Sequence, residues 1–122
     1  MSISLDGTNG ITAPTAVATT NTVNGATGSV TLDFSIYQNF ILNMTGNVTL
    51  ANPTTEAVGQ SGFIVFAQDA TGGRTVSLGT DYETPNGQAI ELTSLASATD
   101  IAPYIVVASN RILIGVPQKN FS

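Results

Sequence analysis

Residues 29–53 read SVTLDFSIYQNFILNMTGNVTLANP and residues 60–80 read QSGFIVFAQDATGGRTVSLGT. Apolar and polar residues alternate through most of both stretches. Val30, Leu32, Phe34 and Ile36 alternate with Thr31, Asp33 and Ser35, and Phe40, Leu42 and Met44 continue the pattern. A period of two places successive side chains on opposite faces of a strand. Thr45-Gly46-Asn47 reads as a turn, Val48 and Leu50 resume the alternation, and Asn52-Pro53 ends it. Phe63 to Ala67 is apolar throughout, as expected of a central strand buried on both faces. Asp69-Ala70-Thr71-Gly72-Gly73 reads as a hairpin turn, because its paired glycines accept positive φ. Arg74 to Leu78 is then the return strand.

The flanking chain carries the same punctuation. Thr80 to Gln88 is a polar loop around Pro85-Asn86-Gly87. Ala89 to Leu95 fits either a strand or a helical turn. Tyr104 to Ala108 is a second apolar run, Ser109-Asn110 a two-residue turn, and Arg111 to Val116 the last strand. No segment keeps a helical period beyond two turns. Parallel neighbours ordinarily need long, usually helical crossovers. The expected fold is therefore all-β: a single antiparallel β-sandwich or barrel-like, jelly-roll-like domain over residues 29–122. An extended N-terminal arm over residues 1–28 precedes it.

The arm contains APTAVATTNTVNGATG at residues 13–28, with no charge and no aromatic residue. Disordered segments usually carry high net charge. The preferred reading is an arm that becomes ordered on a neighbouring subunit through Ile3, Leu5, Val17 and Val23. A mobile linker is the alternative.

Composition removes several classes of function. The 122 residues include no cysteine and no histidine. Disulfide and thiolate chemistry are therefore absent, as are the commonest metal ligand and the commonest neutral-pH general base. Arg74, Arg111 and Lys119 are the only basic residues against eight acids, giving a net charge of −5. A nucleic-acid binder needs a basic footprint and an anionic membrane attracts one, so neither partner is expected. No apolar stretch approaches the ~20 residues of a membrane-spanning helix. The opening MSISLDGTNG lacks the basic start and apolar run of a secretory signal, so synthesis in a cytoplasm is expected, with the chain staying soluble or joining an assembly there. Charged residues make up 9% of the chain, against ~25% in ordinary soluble domains. Such a surface suits packing against other protein.

Little chemistry can be assembled from what remains. Asp81 and Glu83 are close enough to share a cation or act as an acid–base pair, but no calcium-loop spacing surrounds them. ATGGRT, residues 70–75, lacks the Gly-x-x-x-x-Gly-Lys spacing of a phosphate loop. Tyr82 between Asp81 and Glu83 is the one loop cluster that could hold a sugar. No cofactor, metal or catalytic residue is expected, and the chain does not read as an enzyme. Arg74 and Arg111 each follow a turn, and they are candidate interface anchors or charges that discourage edge pairing.

Four phrases carry a family resemblance: GSVTLD at 28–33, FILNMTGNVTLANP at 40–53, GFIVFAQDATGGRTVSLG at 62–79 and DIAPYIVVASNRILIG at 100–115. Together they resemble a β-module of virion structural proteins of tailed bacteriophages, especially phages of cyanobacteria and marine bacteria. The resemblance covers about three-quarters of the chain. It implies a structural protein of the virion. The expected role is capsid decoration: a cement protein on the outer capsid surface, a homotrimer that joins capsomers and has the major capsid protein as partner. The alternative is a tail-fibre or tail-tip module that binds a host receptor glycan. Where the family motif often has Trp, this chain has Leu78, which weakens the glycan expectation.

Overall fold

The computed structural model describes residues 7, 8, 10, 11 and 13–122. Among these, eight strands form one curled sheet, a half-barrel. They are β1 (Thr20–Val30), β2 (Asn39–Leu50), β3 (Ser61–Ala67), β4 (Val76–Leu78), β5 (Tyr82–Glu83), β6 (Thr99–Ala108), β7 (Arg111–Ile114) and β8 (Gln118–Phe121). The fold is all-β, as the alternation predicts. The only helical geometry among the described residues is one 3₁₀ turn at Pro85–Gly87.

The expectation of purely antiparallel pairing is corrected. The strand order is β1-β2-β3-β6-β7-β5. β1–β2, β2–β3, β2–β4 and β5–β7 are parallel, while β3–β6, β6–β7 and β6–β8 are antiparallel. The crossovers are extended segments rather than helices. An extended chain advances about 3.3 Å per residue against 1.5 Å in a helix, so eight residues can return where a helix would need more than twice as many. Even so, a straight β1 would be about 33 Å long. The nine Cα steps from Val30 to Asn39 span only about 30 Å, and they include a turn closed from Tyr37 N to Asp33 O. β1 must therefore bend. Its register shifts lie between Asn24 and Gly28, where Gly25 and Gly28 take positive φ. Bulges of this kind curve a strand.

Residues 31–38 are this crossover, not the strand that their alternation suggests. The alternation survives as burial: Leu32 and Phe34 point into the core, whereas Ile36 is exposed. Phe34 packs edge-on against Phe40 and Tyr104, with ring centroids 5.0 and 5.3 Å apart. The crossover thus covers the inner face of the sheet. It is held there by Phe34 N donating to Thr55 Oγ1 (2.8 Å) and by Tyr104 Oη donating to Gln38 O (2.6 Å). The core beneath it is Phe40, Leu42, Met44, Val48 and Leu50 of β2 with Ile64, Phe66, Ala102, Tyr104, Val106, Ile112 and Ile114 of the central strands.

Two of the expected turns are absent. Thr45-Gly46-Asn47 lies inside β2, which runs unbroken to Leu50. Gly46 passes against Thr27 of β1, where a Cβ would meet Thr27 Oγ1. Asp69–Gly73 is not a hairpin either. β3 and β4 run in the same direction along one edge of β2, paired with Phe40–Asn43 and Val48–Leu50 respectively. The intervening residues 68–75 are a detour that leaves the strand line and rejoins it. Likewise β7 and β8 lie on one line beside β6, interrupted at residues 115–117. The turn at Ser109-Asn110 is present, with Asn110 at φ 59°.

The arm expected over residues 1–28 is a sheet strand from Thr20 onward. Residues 13–19 are exposed and belong to no strand. Residues 89–95 form neither the strand nor the helical turn, although Ile90 and Leu92 pack against the core.

Candidate functional site: the outer sheet face and the loop at residues 79–91

The two arginines are internally paired. Arg74 Nη2 donates to Asp69 Oδ2 at 2.9 Å, and both residues lie within the 68–75 detour. Asp69 Oδ1 also accepts the backbone N–H groups of Thr71 and Gly72, the short-range bonding that Asp in a turn favours. The Arg74 hydrogen bond, aided by these backbone donors, holds the Asp69 carboxyl below the usual carboxylate range. Gln68 closes the detour: its Nε2 donates to Arg74 O and Thr93 O, and its Oε1 accepts Arg74 N. Arg111 Nε donates to Glu83 Oε1 at 2.8 Å across the β5–β7 edge, and both side chains are about half exposed. The same hydrogen bond lowers the Glu83 pKa. Neither arginine is thus a free anchor.

The remaining candidates divide. Val23 is half-buried and packs against the core, so it serves the fold. Val17 is 95% exposed. Ile3 and Leu5 lie outside the described residues.

The Asp81–Tyr82–Glu83 cluster does not form a sugar platform. Tyr82 points inward and is 6% exposed, which leaves no ring face for a sugar. Its hydroxyl is buried without a hydrogen-bond partner, as is Glu56 Oε2. Burial, reinforced by the charges of Glu56 and Asp81, raises the Tyr82 pKa. Burial also pushes Tyr104 up to about 12. Among the described residues no cluster of three or more Asp or Glu side chains could hold a metal ion.

Two surface features remain. The first is the loop at residues 79–91, which is flanked by clefts. One lies between Leu78, Thr80, Gln88 and Ile90, the other between Pro85, Ile90, Val116 and Lys119. Asn52 anchors the loop's base, with its Oδ1 accepting Asp81 N and its Nδ2 donating to Thr80 Oγ1. The second feature was missed in the sequence. β3 is central, yet it is buried on one face only: Ile64 and Phe66 point inward, while Phe63 is 49% exposed. Facing outward with it are Pro103 and Ile105 of β6 and Leu113 of β7. Their register, Phe63 opposite Pro103 and Ile105 opposite Leu113, makes one apolar patch. β1, β2 and β3 contain no charged residue, and the only one in β6, Asp100, points inward. A sheet with one solvated face normally turns polar residues outward. This outer face departs from that pattern.

An all-β half-barrel with such an apolar outer face defines a fold class. The comparisons narrow the class. Residues 27–107, about two-thirds of the chain, match a family model described as "Putative phage tail fibre C-terminal domain". The chain belongs to this family, and it is a bacteriophage structural protein located in the virion. No curated protein and no solved structure matches it.

Proposed function

We propose that this chain is a terminal module of a tail fibre, non-enzymatic, which presents its loops to the host surface and associates with further copies of itself as a homotrimer. The family match over residues 27–107 carries the proposal. The clefts beside residues 79–91 are the recessed surfaces at which a receptor glycan would be recognised. They offer Thr80, Thr84 and Gln88 as hydrogen-bonding groups and Ile90 as an apolar wall. The family match favours this reading over capsid decoration, in which the major capsid protein would be the partner. Cryo-EM of the virion tests it. Density at the fibre tip is expected, together with reduced phage adsorption when purified protein is present in excess. Density on the head would overturn the tail reading and restore the cement role.

A further inference from the structure

Residues 13–19, with Ile11, present apolar side chains that nothing in the single copy covers. Ile11 is 72% exposed and Val17 95% exposed. The segment carries no charge. The outer sheet face presents a second uncovered apolar surface, with the paired Arg111 and Glu83 as the charges at its β5–β7 margin. Two shallow depressions flank Pro103 on that face. One is lined by Ala18, Asn39, Ser61 and Phe63, the other by Glu83, Thr84, Pro85, Ile105 and Leu113.

We propose that the segment 11–19 of one copy lies across the outer sheet face of a second copy. The proposal rests on the self-association read above and specifies how it is made. Three observations support this occupant. First, an arm lying on its own sheet would not leave Val17 95% exposed, so the contact is not made within one copy. Second, copies of a chain with net charge −5 repel one another. A contact between an uncharged arm and a face whose charges at the β5–β7 margin, Arg111 and Glu83, are already paired with each other brings no like charges together. Third, the shapes fit. A convex sheet face cannot seat another convex face broadly, but an extended chain can follow it. Nine extended residues reach about 30 Å, enough to cross the four strand lines β2, β3, β6 and β7, spaced about 4.8 Å apart. Ala18 already lines the first depression, so the arm joins its own domain at the margin of this face.

The test measures self-association of the full chain by sedimentation equilibrium, with circular dichroism confirming the fold of each variant. The wild type is expected to be oligomeric at micromolar concentration. Val17→Asp and Ile105→Lys should each raise the dissociation constant at least tenfold, and Ile36→Lys, on the covering crossover, should not. Mixing Val17→Asp with Ile105→Lys should give a 1:1 heterodimer that neither variant forms alone, because the first keeps an intact face and the second an intact arm, which allows one contact. If Ile105→Lys does not fold, Phe63→Lys gives the same readout. An oligomer unaffected by Val17→Asp would overturn the arm contact while leaving self-association standing. A wild type that stays monomeric would overturn both. Neither result bears on whether the protein sits on the tail, which the virion density decides.

Discussion

Asp100→Ala tests how the fold tolerates a fully buried acidic side chain. Asp100 is 2% exposed in the sheet interior. Its carboxylate accepts Thr93 N at 2.7 Å, Thr93 Oγ1 at 2.8 Å and Asn120 N at 2.9 Å. These bonds tie the 93–98 loop and β8 to β6. Hydrogen bonds to a charged group contribute about 1.5–3 kcal/mol each, so three sum to about 5–9 kcal/mol. The carboxylate's own dehydration, several kcal/mol, offsets part of this. The net expected loss is about 3–5 kcal/mol, against a total stability of about 5–15 kcal/mol for a natural domain. At a urea m-value of about 2 kcal/mol/M the midpoint should fall by about 1.5–2.5 M, and Tm by about 12–20 °C. Asp100→Asn keeps one oxygen but turns an amide N–H₂ toward a donor, so it should lose at least a third as much. Urea titrations of both variants, with hydrogen exchange at the Thr93 and Asn120 amides, provide the check. A loss below about 1 kcal/mol for Asp100→Ala would show that water replaces the carboxylate without penalty.

Four further outcomes are expected. Tyr82→Phe removes a buried hydroxyl that has no partner, and its urea midpoint should be unchanged or raised by the equivalent of about 1 kcal/mol; a clear fall would reveal a water or Glu56 bonded there. The raised pKa values of Tyr82 and Tyr104 mean that above pH 10 the unfolded chain loses protons the folded chain retains, so stability is intact below pH 10 and declines from there toward pH 12 and beyond; unfolding monitored through tyrosinate absorbance checks this. Asp33, Asp69 and Glu83 have the opposite sign, so the stability they contribute at neutral pH is lost only as pH falls through their lowered pKa values, below about 4, in an acid titration. Gly72→Ala should cost about 2–4 kcal/mol in a urea titration, because Gly72 sits at φ +74° and the new Cβ would lie 2.6 Å from Ser94 O.

The alternation made the all-β class legible, because burial of Phe40, Leu42, Met44 and Leu50 against Ile41, Asn43 and Thr49 follows the period of two. Direction was not legible. Glycine pairs mark positive φ, but Gly72 and Gly73 use it to close a detour rather than to reverse the chain. The detour depends on Gln68 reaching both Arg74 and Thr93, a contact over 25 residues that no local pattern encodes. Leu32 and Phe34 alternate correctly for a strand and are buried correctly for a core, but they belong to a covering crossover. The outer face escaped notice because Phe63–Ala67 reads as doubly buried, and a partner-binding face and a buried face have the same composition. The arginines drew attention through scarcity, yet each had a carboxylate within reach: Asp69 five residues earlier, and Glu83 on the neighbouring strand.

The extended crossovers have a kinetic consequence. Among the strand pairings, β6 with β7 is closed by a two-residue turn, whereas β1–β2 and β2–β3 form only after residues 31–38 and 51–60 have wrapped back. Loop closure is unfavourable until the strands it joins have paired. The β6–β7 hairpin is therefore the natural starting point, with β3 docking next and β1 last. Until β1 arrives, one edge of β2 stands open, twelve uncharged residues long. An open edge of that kind is a template for pairing with another chain. A nascent copy thus passes through a stage in which correct assembly and aggregation draw on the same exposed backbone.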